Sequence, residues 1–123
     1  PLFCPYRTLI EAGIKVSASA DAPIFELSAI KGMAASIMRT TETGSDMTPD
    51  EALTPDQALA MYSVNGAYAL GKESQFGVIR AGKDADLVVL SHHLSKMPVE
   101  NWVQHIDVEM TIANGNIIYQ RNI

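Results

Sequence analysis

The apolar positions change period along this chain, and the change divides it into two textures. Near the start, Leu9 and Ile10 form a short stripe inside "PYRTLIEAG" (residues 5–13), with Pro5 at its head and Gly13 at its end. Proline suits the first helical turn and glycine the stop, so a short helix is predicted. The next run, Val16 to Ala20, alternates Val16, Ala18 and Ala20 with Ser17 and Ser19. Period two reads as a small-residue strand, and it delivers Asp21 at its tip before Ala22 and Pro23 force a turn. In "FELSAIKGMAASIMRT" the apolar Ile30, Ala34, Ile37 and Met38 return to helical spacing. Glu26 would lie in the first turn of that helix and Arg39 in the last, both favourable to its dipole.

After a polar linker from Thr41 to Met47 come two start signals, Thr48-Pro49-Asp50-Glu51 and Thr54-Pro55-Asp56-Gln57. Each has the form of a capping box with proline at the first helical position. The second is expected to launch one helix, "PDQALAMYSVNGAYAL", carrying Leu59, Tyr62, Gly66 and Leu70 on one face and stopping at Gly71. From Phe76 the texture becomes β-rich. A turn at Ala81–Asp84 precedes Leu87–Leu90, which reads as a strand covered on both faces. Residues 92–107 read as loop with one helical turn, and Trp102 as a packing anchor. Val108 to Tyr119 reads as a hairpin, with Asn114-Gly115 supplying the tight turn.

Composition narrows the function classes. With 47% hydrophobic and 19% charged residues, the 123-residue chain has an ordinary globular balance. A formal net charge of −5 and no Lys/Arg cluster argue against nucleic acid, whose phosphates call for a basic face. No apolar run reaches the length of a membrane span and no signal-peptide pattern opens the chain, so no membrane partner is expected. The single cysteine, Cys4, excludes an internal disulfide framework and fits a reducing, cytoplasmic setting. The first residue is Pro1, which fits either removal of an initiator methionine or a piece of a longer chain.

Three segments in order carry a resemblance. "GKDADLVVL" (Gly82–Leu90), preceded by Gly77 and Ile79, resembles the return of a metal-dependent amidohydrolase from its barrel to its flanking β-sandwich. "LTPDQALAMYSVNGAYALG" (Leu53–Gly71) resembles the helix before that return, and "VEMTIANGNIIY" (Val108–Tyr119) the closing hairpin. The run Tyr62-Ser63-Val64-Asn65-Gly66-Ala67-Tyr68 most resembles amidohydrolase family 3, which holds deacylases and formamide deformylases.

The resemblance implies an α/β architecture. It would be the carboxy-terminal fragment of a (β/α)8 barrel, with the last strand and helices in residues 1–75 and composite β-sandwich strands in 76–123. It implies that Asp21 is a catalytic carboxylate at the carboxyl end of the eighth strand, where such barrels build their sites. Ala20 stands before it where the family more often has serine. A divalent metal, with zinc the expected ion, would activate water in the parent enzyme, and Asp21 would orient that water and also touch the metal. Arg39 would approach substrate or brace the barrel mouth.

The remaining ligands are missing from the sequence. His92, His93 and His105 all follow the barrel portion, and none forms a His-x-His pair. Adjacent histidines on an extended strand point to opposite faces, so His92 and His93 read as solvated loop residues. Asp84 and Asp86 read as a polar turn entering a strand. The expected function is therefore part of a hydrolase for amide or cyclic amide C–N bonds, silent and without cofactor on its own. Its partner would be the remainder of the barrel or a second copy of itself. The alternative is a non-catalytic binding or oligomerisation module derived from such an enzyme.

Overall fold

The computed structural model describes residues 3–41 and 43–122; Pro1, and Glu42 of the expected linker, lie outside them. Helix α1 spans Tyr6–Glu11. It stops where expected, at Gly13, whose φ of 80° is a conformation glycine adopts freely. Pro5 stands at its N-cap and offers no side-chain acceptor. That acceptor arrives instead from Glu51, whose carboxylate takes the backbone N–H of Thr8 at 2.9 Å and also its hydroxyl. The expected capping box at Thr48–Glu51 does not form. Thr48 is left-handed (φ 45°), and Pro49–Glu51 is one 3-10 turn. The long-range use of Glu51 takes away the side chain that a local box would need.

Residues 14–20 keep the expected alternation, with Val16, Ala18 and Ala20 half-buried and Ser17 and Ser19 exposed. They pair with no described strand. A ladder requires a neighbouring strand about 4.8 Å away, and here the neighbours are helical. The N–H of Ala18 donates to the carbonyl of Met61 at 3.1 Å, and Nδ2 of Asn65 donates to the carbonyl of Val16 at 2.9 Å.

Helix α2 runs Ala29–Met38, shorter than the pattern suggests, because the Ser28 side chain caps it by accepting from Lys31 N–H. Glu26 thus lies before the helix and pairs with Lys31. Arg39 follows it as a left-handed C-cap with φ 53°. Met33 and Ala34 are buried while Met38 is exposed, so the buried stripe is displaced by a residue from the one expected.

The second box is present in full. Thr54 accepts from Gln57 N–H, Gln57 accepts from Thr54 N–H, and helix α3 spans Pro55–Met61. The single long helix expected from this box is divided, with α4 over Val64–Ala69. The break falls at Ser63, whose hydroxyl bonds back to the carbonyl of Leu59 at 2.7 Å and whose backbone leaves the helical region. The buried residues of the pair are Ala58, Met61 and Ala67; Leu59 and Leu70 of the predicted face are exposed.

Strand β1 (Leu87–Leu90), strand β2 (Val108–Ala113) and strand β3 (Asn116–Gln120) form one antiparallel sheet in that order. The hairpin turn is the expected one, with φ of 49° at Asn114 and 78° at Gly115. β1 is not covered on both faces, since Val88 and Val89 are exposed. Between β1 and β2 the chain makes 3-10 turns at Leu94–Lys96 and Val99–Asn101 and the short helix α5 (Trp102–His105). This segment carries the core. Trp102 is fully buried with Met33, Ala34, Ala58 and Ile106, and its indole N–H donates to the carbonyl of Met97 at 2.9 Å.

Candidate functional site

A cavity of about 590 Å³ opens between the segment Ser17–Ala20, helix α2 and the α3 end at Met61 and Tyr62. Small side chains make the space: Ala18 and Ala20 on one side, Gly32 and Ala35 on the other. Gly32 is required by contact. A Cβ there would stand 1.8 Å from Oη of Tyr62, so the phenol lies directly on the helix backbone. Burial raises the Tyr62 phenol above its ordinary 10.0. Tyr6 is raised too, first by its hydrogen bond with Cys4 and then by burial.

Asp21 follows Ala20 directly; Ala20 and Phe25 line the cavity, and Asp21 itself is not among the lining residues. Its backbone is held at both ends. The N–H donates to Oγ of Ser19 at 3.2 Å, and the carbonyl accepts from Ile24 N–H at 2.9 Å, closing a turn over the cis Ala22–Pro23 bond. Its φ of 49° is left-handed, a region that aspartate tolerates better than most residues. Among the described residues no hydrogen bond or ion pair engages its carboxylate.

Arg39 is buried and occupied. Its Nε donates to the carbonyl of Met47 at 3.0 Å, and its Nη2 donates to the carbonyl of Phe3 at 2.5 Å and to the hydroxyl of Thr48. It lines the cavity while fastening three chain segments to one another. Glu51 is equally occupied. Its carboxyl sits below the ordinary 4.5, chiefly because the Thr8 hydroxyl and N–H donate to it. Sequence patterning missed this role because the partner lies 43 positions away.

His92 and His93 are exposed loop residues, as expected, and among the described residues their ring nitrogens meet Ser91 and Ser95. Asp86 accepts from the N–H of Asn114 at 2.7 Å, tying the turn before β1 to the hairpin. Among the described residues, no three His, Cys, Asp or Glu side chains are grouped to hold a metal ion. The donor set of the described residues does not by itself fit a resident metal. No helix among the described residues is long and apolar enough to cross a membrane.

Residues 1–119 match the sequence profile of the amidohydrolase family. The chain belongs to that family. It is 37% identical over 95% of its length to an N-substituted formamide deformylase of Arthrobacter pascens, spanning 21% of that protein. It is 29% identical, again over 95%, to a 5-methylthioadenosine/S-adenosylhomocysteine deaminase of Moorella thermoacetica, spanning 29% of it. An amidohydrolase from Thermotoga maritima superposes over 93% of the chain with a TM-score of 0.67 and 28% identity, and the match covers 25% of that chain. The chain thus spans about a fifth to under a third of the length of these two curated relatives.

Proposed function

We propose that residues 1–123 act as the carboxy-terminal part of a metal-dependent hydrolase for amide or cyclic amide C–N bonds, with Asp21 as its proton-handling carboxylate. The observation that carries this reading is the state of Asp21. Its backbone is fixed on both sides, next to the cavity-lining Ala20, while among the described residues its carboxylate has no partner. A carboxylate so placed can take a proton from an attacking water and return it to a departing amine. Of the two roles for Arg39, bracing the mouth is the one its hydrogen bonds support. Such hydrolases draw their activated water from a divalent metal, expected to be zinc. Among the described residues Asp21 is a single candidate ligand, and the remaining ligands would come from the rest of the barrel.

The chain alone is silent, and its partner is the remainder of the barrel. Ile24, Phe25 and Leu27, exposed by 69%, 68% and 82%, follow the Asp21–Pro23 turn. Three large apolar side chains in four positions are costly to leave in water and are suited to burial against another polypeptide.

The test is replacement of the matching fifth of the Arthrobacter pascens deformylase by residues 1–123, followed by assay of N-substituted formamide deformylation. Activity is expected in the hybrid and absent from the isolated chain. Asp21→Asn should lower kcat by roughly 10²–10⁴-fold, the range a positioned acid–base group contributes. A folded hybrid with no activity, or an Asn variant as fast as its parent, would overturn the reading.

A further inference from the structure

We infer that Ser19 is a positioning residue, setting the direction in which Asp21 presents its carboxylate; this rests on the role proposed for Asp21 above. The alternation along residues 16–20 leaves Ser19 exposed, on the wall of the open cavity. Its hydroxyl nevertheless has one defined task. Oγ accepts the N–H of Asp21, two residues on, at 3.2 Å. A serine oxygen bonded in this way closes a small turn around the intervening residue, Ala20, and fixes where the following Cα–Cβ bond points.

The bond matters because of the conformation it holds. At φ 49°, Asp21 sits in a region that L-residues populate sparsely, and two basins compete for it when nothing fixes the backbone. Moving Asp21 back to negative φ would redirect its Cα–Cβ bond relative to Ala20, which lines the cavity just before it. The carbonyl of Asp21 is held separately by Ile24 N–H at 2.9 Å. Loss of the serine hydroxyl therefore frees one end of the residue and not the other. The turn persists, and the carboxylate loses its fixed bearing. Displacing a reacting group by about an ångström can cost on the order of a hundredfold in rate, and one hydrogen bond shifts a population about tenfold.

The residue before Asp21 is Ala20, whose methyl can accept nothing. Among the described residues, Ser19 is thus the side chain that meets the Asp21 amide. Threonine keeps the hydroxyl and alanine removes it with little change in bulk, so the pair of substitutions isolates the oxygen.

Two measurements decide the matter. In the 123-residue chain, a strong intraresidue contact between the amide and α protons of Asp21 reports its positive φ by NMR. Ser19→Ala should weaken that contact and Ser19→Thr should keep it. In the deformylase hybrid, Ser19→Ala should lower kcat about tenfold with KM unchanged, and Ser19→Thr should restore it. If Ser19→Ala keeps kcat within about twofold in a hybrid that Asp21→Asn inactivates, the positioning role is wrong. Failure of the threonine variant to restore kcat overturns it as well. If the hybrid is inactive or Asp21→Asn is harmless, the proposed function of Asp21 has failed instead. The NMR arm then stands alone, and an unchanged Asp21 contact in Ser19→Ala refutes the hold that Ser19 is said to exert.

Discussion

Glu51 and Gly32 show how much of this structure is decided by single side chains meeting far-off partners. Glu51 is only 5% exposed and caps α1 from 43 positions away. Its carboxyl is held below the ordinary 4.5, first by the Thr8 hydroxyl and next by the Thr8 N–H. A lowered folded value stabilises the fold fully above the unfolded value and ceases to do so as pH falls through the folded one. Urea midpoints should therefore decline as pH is lowered below about 4.5, and Glu51→Gln should flatten that decline while lowering the midpoint at neutral pH. Equal pH slopes in the two proteins would refute the linkage. At Gly32, alanine gains about 1 kcal/mol of helix propensity but drives a methyl into the Tyr62 phenol. Overpacking of this kind costs about 1–3 kcal/mol, so Gly32→Ala should lower stability or leave it level, with the Tyr62 environment changed by near-UV dichroism. A clear gain in stability would mean the phenol moves aside freely.

At the scale of elements, what can be read from the sequence follows the range of the interaction that fixes it. The Thr54–Gln57 box and the Asn114-Gly115 turn are complete within four residues, and both occur as patterned. The Thr48–Glu51 box has the same letters and does not form, because Thr8 competes for the Glu51 carboxylate. Nothing within the box signals that competitor. The segment Val16–Ala20 keeps its period-two burial yet has no ladder, since alternation specifies faces while pairing needs a second strand. The α3–α4 break at Ser63 was hidden by a helical pattern that continues across it. Thr54→Ala should cost about 1 kcal/mol, since it removes a cap with its reciprocal partner intact. Thermal denaturation checks this, and a change under about 0.3 kcal/mol would mean that packing of Ala58 and Met61 alone holds the α3 start.

Across the whole molecule, one indole joins the two textures of the chain. Trp102 comes from the β-rich portion and is buried among Met33 and Ala34 of α2 and Ala58 of α3. Gly77, at φ 101°, brings the start of the β-rich portion against Ala67, where a Cβ would lie 2.7 Å from that residue's own. Trp102→Ala should cost about 3–5 kcal/mol, a large share of the 5–15 kcal/mol that domains commonly possess. Loss of the cooperative unfolding transition is the expected result; a transition of unchanged midpoint would show that the two portions stand independently. The apolar run Ile24, Phe25 and Leu27 belongs to this scale too. It is a surface whose exposure no contact inside the described chain relieves.

By itself the sequence determined the family, the α2 helix, the capped start of α3 but not its end, the hairpin, the buried anchor at Trp102, and the placement of Asp21 at the end of an alternating run. These follow from local periodicity, caps and turns, which act over a few residues and leave their mark in the order of letters. Only the tertiary structure decided that Glu51 caps α1, that Arg39 is bound to Phe3 and to the Met47–Thr48 segment, and that Ser19 holds the Asp21 amide. Carboxylates, guanidinium groups and hydroxyls can each bond to many donors or acceptors, and which of these is taken depends on what folding brings within about 3 Å.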